Sequence, residues 1–461
     1  MSKKIILIDR DTHFIRHLLK HTDWEILCLV LERAESGEFL NISRIKHIVF
    51  YDDLLQTQHS GEINLEILEL MRDIQLDCET TIHRCFHDNN LSKYIYYNHL
   101  SFFYSIFQAN QIDFVLCSEY NLGVPSITIP LGLSKIFKIP SYTIDADFAF
   151  SLLYRYNDEK YLQINSTQHI HSIDTKAYIS FNPDKISWSF SPKKIIKNIL
   201  QKIGGQMLIE FCVCLIHLDF NHYDRLGIKV NYWEKLRSFL KFKKAIRFYH
   251  KNAVVPDLNR KFIYFSLHVE PEAVILARVG LDNQLLLIKM LSEAMPQDWV
   301  IYVKEHPHQL KINNPECSYF INNIDYYKSI EFYKEITKMK NVQLINLKTH
   351  PKELTIHSKA VASIGGSIST EAWLLKKPAI NFCPKQSLGG MLSNSLGIES
   401  YQDVKKAIDI LYNHYDDFTN KINTQEDQDK LQAYLFPLPQ DKEIPIFLET
   451  ILNDIKENPC N

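Results

Sequence analysis

Ser363-Ile364-Gly365-Gly366-Ser367-Ile368-Ser369-Thr370-Glu371-Ala372 is the stretch from which the chain is best read. A short apolar run, residues 360–364, passes into two glycines, then hydroxyl residues, then a segment with helical spacing over residues 369–375. Strand, glycine turn and helix in that order are the unit from which α/β sheets are built. Glycine lets a backbone approach a ligand closely. Free N–H groups and the dipole at a helix start favour a phosphate there. Ser367, Ser369 and Thr370 add hydroxyl donors, and Glu371 is a candidate acceptor for ribose hydroxyls. A capped helix start, with Ser367 or Ser369 as the cap, accounts for the same residues without any ligand. Gly-rich turns of this shape are common.

Moving outward, two further loops follow apolar runs of the same kind. Residues 262–267 read as a strand that leads into Ser266-Leu267-His268-Val269-Glu270-Pro271-Glu272-Ala273. His268, Glu270 and Glu272 share that loop. Carboxylates placed close together push each other's pKa apart, which suits acid–base work, while solvated loop charges are the default for exposed Glu. Residues 299–303 read as a strand ending in Lys304-Glu305-His306-Pro307-His308. Lys304 and His306 can clamp a phosphate whose charge grows as its bond breaks; a lone His at a strand end is more often structural. Strands over 342–345 and 379–382, and helices over 283–294, 353–358, 404–415 and 444–455, complete the series. The three polar loops all lie at the carboxyl ends of strands in one sheet, where they converge on a single crevice.

The first part of the chain has a similar rhythm. Strand-like runs at 4–8, 47–51, 113–117 and 140–144 end in Asp9-Arg10-Asp11, Asp52-Asp53, Ser118-Glu119 and Asp145-Ala146-Asp147, with helical patterns at 65–74 and 131–137. That alternation predicts a parallel, doubly wound sheet. Residues from about 150 to 258 break the pattern. Within them Lys235, Arg237, Lys241, Lys243, Lys244 and Arg247 are interleaved with Trp233, Leu236, Phe239, Leu240, Phe242 and Phe248. Two readings stand: a basic amphipathic helix resting on an anionic membrane, or a linker helix with apolar residues in the core and bases in water. No repeat of solenoid period is present.

Composition bounds the classes. The 461 residues are 46% hydrophobic and 23% charged, as in a soluble globular protein. A formal net charge of -2 gives no general attraction to nucleic acid. Nine cysteines contain no CxxC pair and read as reduced thiols of a cytoplasmic protein. The opening apolar run is too short for a signal peptide. The longest such stretch, near 207–218, is interrupted by Glu210 and His217 and cannot span a bilayer. Asp9-Arg10-Asp11 and Asp145-Ala146-Asp147 have Asp-x-Asp spacing without a convincing context, so neither a metal nor another cofactor is expected.

The blocks Tyr264 to Ala273, Asp282-Asn283-Gln284, Val303-Lys304-Glu305-His306-Pro307, Gly365-Gly366-Ser367 with Glu371-Ala372, and Lys377-Pro378-Ala379-Ile380 occur in an order and spacing that resembles bacterial capsular-polysaccharide biosynthesis proteins. These are GT-B-like enzymes related to the Kdo transferases and similar, through the His-Pro motif, to bacterial sialyltransferases. The resemblance covers about residues 261–383. It implies an α/β fold of two facing Rossmann-like domains with a helical insertion between them. The expected domains are an acceptor-side domain (1–150), a basic and aromatic insertion or linker (151–258), a nucleotide-sugar-binding domain (259–430) and a helical tail (431–461). It also implies a nucleotide-activated sugar donor, with CMP-linked sugars among the candidates, whose phosphate is met by His306, Ser367, Ser369 and Thr370.

The expected activity is glycosyl transfer to a glycan or lipid-linked glycan acceptor of a bacterial surface polysaccharide. Expected catalytic residues are Glu119, Asp145, Asp147, Glu270 and His306, with Asp9 and Asp11 as further candidates for the base. Expected donor contacts are His268, Glu272, Lys304, His306, Gly365, Gly366, Ser367, Ser369, Thr370 and Glu371. Peripheral contact with the inner membrane or an assembly complex is a further expectation. Two alternatives stay open: a nucleotide-sugar 2-epimerase, which needs no acceptor, and a non-catalytic member that binds nucleotide sugar or glycan.

Overall fold

The computed structural model describes residues 2–9, 12–51, 53–55, 62–83, 88–118, 124–147, 150–163, 212, 215, 221–223, 229–270, 281–307, 309, 328–385, 387–437 and 444–459. The chain divides into two compact units, one taking in Met1–Ser172 and Asp429–Asn461, the other Ile173–Ile275 and Val279–Gln428.

The first unit is built on strands β1 (Lys4–Ile8), β2 (Glu25–Leu31), β3 (Ile45–Phe50), β4 (Phe114–Cys117), β5 (Ser141–Asp147), β6 (Phe150–Arg155) and β7 (Lys160–Tyr161). Their order is β6-β5-β4-β1-β2-β3, with β7 on β6. Pairing is parallel from β3 to β5 and antiparallel at β6 and β7. Ile5, Ile6, Leu7 and Ile8 are all buried, as the continuous apolar run of a strand covered on both faces requires. Helices α1 (His13–His21), α2 (Leu65–Leu70), α3 (Arg72–Ile82), α4 (Asn89–Ala109) and α5 (Pro125–Ile136) supply the cover. The sheet thus continues past residue 150.

The second unit opens with a small antiparallel pair, β8 (Asn221–Tyr223) and β9 (Lys229–Asn231), and a long helix, α6 (Tyr232–Asn252). A regular series follows: β10 (Phe262–Ser266), α7 (Gln284–Ala294), β11 (Val300–Lys304), α8 (Ile330–Lys338), β12 (Val342–Ile345), α9 (Pro351–His357), β13 (Ala360–Ser363), α10 (Ile368–Leu374), β14 (Ala379–Asn381), α11 (Leu388–Met391), β15 (Ser395–Gly397) and α12 (Tyr401–Asn413). The sheet order is β12-β11-β10-β13-β14-β15, parallel throughout. Side chains alternate between two apolar layers. Ile263, Phe265, Ile301 and Val303 face one with α7, α8 and α12; Phe262, Tyr264, Val300 and Tyr302 face the other with α9 and α10.

After α13 (Tyr415–Thr419) and α14 (Gln425–Gln432), the chain returns to the first unit. Strand β16 (Leu435–Pro437) pairs antiparallel with β6, and α15 (Ile444–Glu457) buries Ile444, Phe447, Leu448 and Ile451 against the core of β1 and β2. Asp454 of α15 accepts hydrogen bonds from Tyr142 (2.8 Å) and from the buried Arg155 guanidinium (3.0 Å). Two α/β units, one with a parallel sheet and one with a sheet parallel from β3 to β5 and antiparallel beyond, and helical segments between them, are the parts of a GT-B-like fold, as the sequence led us to expect.

Candidate functional site

In the second sheet the chain runs outward in opposite directions from the central pair, β10 and β13. Such a switch point opens a crevice beyond the carboxyl ends of the two strands. The register pairs Ser266 with Lys304 and Phe265 with Ala362. The loops after β10, β11 and β13 therefore leave the sheet at one edge.

His268 and Gly366 meet there. The imidazole Nε2 lies 3.2 Å from the Ser363 hydroxyl, which also accepts the Gly366 N–H (3.1 Å). A Cβ on Gly366 would fall 2.8 Å from His268 Cε1 and 3.0 Å from Nε2. Glycine is thus needed at 366 by its neighbour. At Gly365 it is needed by the backbone, whose φ of 65° lies in the left-handed region.

Two glutamines hold the His268–Glu270 backbone, which otherwise lacks strand partners. Gln284, in the first turn of α7, accepts the His268 N–H (2.7 Å) and donates to the Glu270 carboxylate. Gln309 accepts the Glu270 N–H (2.7 Å) and donates to the Glu270 carbonyl (2.9 Å). Both side chains are buried.

Beneath these loops lies a buried ion pair. Lys328 Nζ stands 2.9 and 3.2 Å from the two Glu305 oxygens, and both side chains are 0% exposed. Removing two charges from water is costly unless every polar atom is satisfied. Glu305 also accepts the Tyr333 hydroxyl (2.7 Å) and the His306 N–H (2.7 Å), and Lys328 donates to the His268 carbonyl. The Glu305 N–H is taken by Tyr249 (3.1 Å). One pair therefore fixes the backbones of both His268 and His306 against α8. Within Lys304-Glu305-His306-Pro307, Glu305 is a structural residue.

The surroundings set the protonation of the site. Burial, reinforced by the charges of Lys328 and His306, lowers the His268 pKa to about 3, so its ring is neutral at physiological pH. Burial raises the Glu270 carboxyl pKa; Lys328 and Gln284 oppose the rise, and Glu305 and Asp282 add to it. Burial lowers the Lys304 pKa against the pull of Glu305. Lys304 shares the sheet face of α9 and α10 and makes no ion pair among the described residues. A neutral imidazole, a protonatable carboxyl and a cation at one sheet edge can hold an anion and move a proton.

The remaining expected residues are placed as follows. Ser367 is half-buried, and its side chain makes no capping bond. Ser369 is fully buried under α11, 2.7 Å (Cβ) from a Cβ built on Gly389, and its hydroxyl has no hydrogen-bond partner among the described residues. Thr370 is buried, and Glu371 is half-buried. Burial raises the Tyr264 phenol pKa; a hydrogen bond with Ser266 opposes the rise, and the Glu371 carboxylate adds to it. Glu119, Glu272 and Asp11 lie outside the described residues. Asp145 and Asp147 lie on β5 beyond Thr143, its last residue paired with β4, opposite Leu152 and Phe150 of β6. They therefore stand in a hairpin rather than at the end of a parallel strand.

In the first unit Asp9 is fully buried, accepting the Ser118 hydroxyl (2.6 Å) and the Ile15 N–H (3.2 Å). Among the described residues no group of three or more His, Cys, Asp or Glu is arranged to hold a metal ion. No described helix is long and apolar enough to cross a membrane. Sequence reading gave no role to Ser363, Gln284, Gln309 or Lys328. Ser363 opens the glycine-turn stretch and Gln284 closes Asp282-Asn283-Gln284, whereas Lys328 carries no local signal.

No family model and no curated protein matches the chain. Among solved structures, it is similar to a UDP-GlcNAc 2-epimerase from Methanocaldococcus jannaschii in complex with UDP-GlcNAc and UDP, at 14% identity over 98% of this chain and 100% of that one, with a TM-score of 0.29. It is also similar to Anabaena Alr3699/HepE in complex with UDP-glucose, at 10% identity over 98% and 99% of the two chains, with a TM-score of 0.34. A third likeness is to Thermosulfurimonas dismutans KpsC, a beta Kdo 2,7 transferase, at 13% identity over 48% of this chain and 68% of that one, with a TM-score of 0.23. At these identities and TM-scores no family is assigned.

Proposed function

We propose that the second unit binds a nucleotide-activated sugar where the loops after β10, β11 and β13 converge, and that the chain is an enzyme acting on that sugar. The observation that carries this proposal is the seating of His268 on Gly366, above the Lys328–Glu305 pair that also holds His306. In it, Lys304 and His306 supply positive charge and N–H donors to the phosphates. The Gly365–Gly366 backbone and the Ser367 hydroxyl meet them from the other side, and Glu371 accepts from the ribose. Ser369 takes no part, because it is enclosed by α11.

The finer assignment is transfer to a glycan acceptor of a bacterial surface polysaccharide, supported by the ordered blocks between residues 261 and 383. Transfer needs a base for the acceptor hydroxyl; Glu119, Asp145 and Asp147 are the candidates. A second assignment, 2-epimerisation of the donor sugar, is favoured by a separate observation. Neutral His268 and the carboxyl of Glu270, with its raised pKa, stand in one loop on the donor side itself. Groups so placed can move protons without any acceptor.

One experiment separates these. The chain is incubated with CMP-, UDP-, GDP- and dTDP-sugars, with and without glycan acceptors. Acceptor-dependent release of nucleotide identifies a transferase. Inversion of the sugar in donor alone identifies an epimerase. Binding without turnover identifies a non-catalytic member, and the absence of binding to every donor contradicts the proposal.

A further inference from the structure

The long helix α6 has two faces of opposite character. Its inner face buries Ser238, Phe242, Ala245 and Tyr249, and Tyr249 packs edge-on against Tyr333 of α8 with ring centroids 5.3 Å apart. Its outer face carries Trp233, Arg237, Leu240, Lys244, Arg247 and Lys251, all exposed; Trp233 and Leu240 are each 53% exposed. The intervals along that series are four, three, four, three and four residues. At 3.6 residues per turn they form one straight line about 27 Å long, opposite the buried residues.

The apolar residues and the bases interleaved in the sequence are thus sorted onto opposite faces, although Trp233 and Leu240 remain outside with the bases. Arg237, Lys244, Arg247 and Lys251 have no ion-pair partner among the described residues. Lys243 flanks the line; burial lowers its pKa and the nearby Arg247 lowers it further, a mark of crowded positive charge. The bases are concentrated here although the whole chain carries a net charge of -2.

We infer that the outer face of α6 docks on a bilayer with anionic headgroups, the bases meeting lipid phosphates and Trp233 and Leu240 entering the acyl boundary. Charge complementarity selects an anionic surface. The large apolar side chains on the same line select a lipid one, because a soluble polyanion offers Leu240 nothing to leave water for. This inference does not depend on the reaction the chain catalyses.

The test is sedimentation of the full chain with phosphatidylcholine vesicles, with and without phosphatidylglycerol, at low and at high salt. Binding to the anionic vesicles alone is expected, weakening with salt as surface electrostatics are screened. Each base reversed should weaken it by about fivefold or more. The R237E/K244E variant should therefore lose most of the binding, while K340E/K352E, which reverses two exposed bases elsewhere, should keep it. W233S/L240S should also lose it, at unchanged melting temperature. Three results overturn the inference: no binding to anionic vesicles, equal loss in the control variant, or full retention by W233S/L240S. Retention by W233S/L240S would mark the line as a site for a soluble polyanion instead.

Discussion

At position 366 a hydrogen stands where any other residue would press a Cβ into the His268 ring. G366A should move that ring, lowering stability by about 1–3 kcal/mol as overpacked sites do and weakening nucleotide affinity by more than the loss of stability alone explains. Calorimetric titration beside urea unfolding checks both. H306A should cut turnover about 100-fold or more, the usual effect of removing a donor aimed at developing charge, with the melting curve little changed; full activity in a folded variant would remove His306 from the site. E371Q should weaken nucleotide binding about tenfold without altering stability, if the carboxylate accepts from the ribose.

The pH dependence has a definite sign. A histidine whose folded pKa is depressed binds its proton more readily in the unfolded chain. His268 therefore gives full stability above its ordinary pKa near 6.5, and that contribution is lost as the pH falls towards its folded value of about 3. H268N should flatten the fall in stability between about pH 6 and pH 4 relative to the wild type; parallel curves would contradict the neutral ring.

Among the elements, the join of β10, β11 and α8 depends on one ion pair. K328M should cost about 3–5 kcal/mol, because it leaves Glu305 buried and unpaired. E305Q added to K328M should restore much of that, since the amide oxygen can still accept from His306 N–H and Tyr333. Urea unfolding of the singles and the double measures the coupling, and simple additivity would mean the pair is not coupled in the folded chain.

Strands β10, β11 and β13 were legible in the sequence because each is an apolar run that stops at a polar loop, as at Val303 before Lys304-Glu305-His306; β8, β9 and β15, three residues each and of mixed polarity, were not. Strand β2, Ile-Leu-Cys-Leu-Val-Leu after Glu25, was not singled out: an unbroken apolar run has no period to separate strand from helix. The β5–β6 hairpin was missed because Asp145 and Asp147 look like a loop signal, whereas they pair with β6. The clamp on the loops was invisible for a different reason. Lys328 reaches Glu305 across 23 residues, and no local pattern encodes that contact.

Across the whole molecule, the chain does not close each unit before starting the next. Arg155 and Asp454 pair across 299 residues, so the final helix completes the first sheet. F447A should cost about 3–5 kcal/mol, as for other fully buried aromatics, measured by urea unfolding; a cost under 1 kcal/mol would show that α15 is not integral to that core. Sequence reading identified the two α/β series and the loops of the second, because both are written in local runs. It assigned the acids of the first part from strand ends alone, and Asp9 shows how such an acid can be spent on structure, held by Ser118 and Ile15.

The central claim is that one phosphorylated nucleotide ligand sits among the loops carrying His268, His306 and Gly366. A ligand that binds only the folded chain stabilises it, by about 2.7 kcal/mol at a hundred times its Kd. The direct measurement is a thermal-shift screen of the wild type, H306A and G366A with CMP, UDP, GDP and dTDP. The account predicts that at least one nucleotide raises the wild-type melting temperature and that both variants lose the shift. No shift with any of the four, or an equal shift in all three proteins, would contradict it.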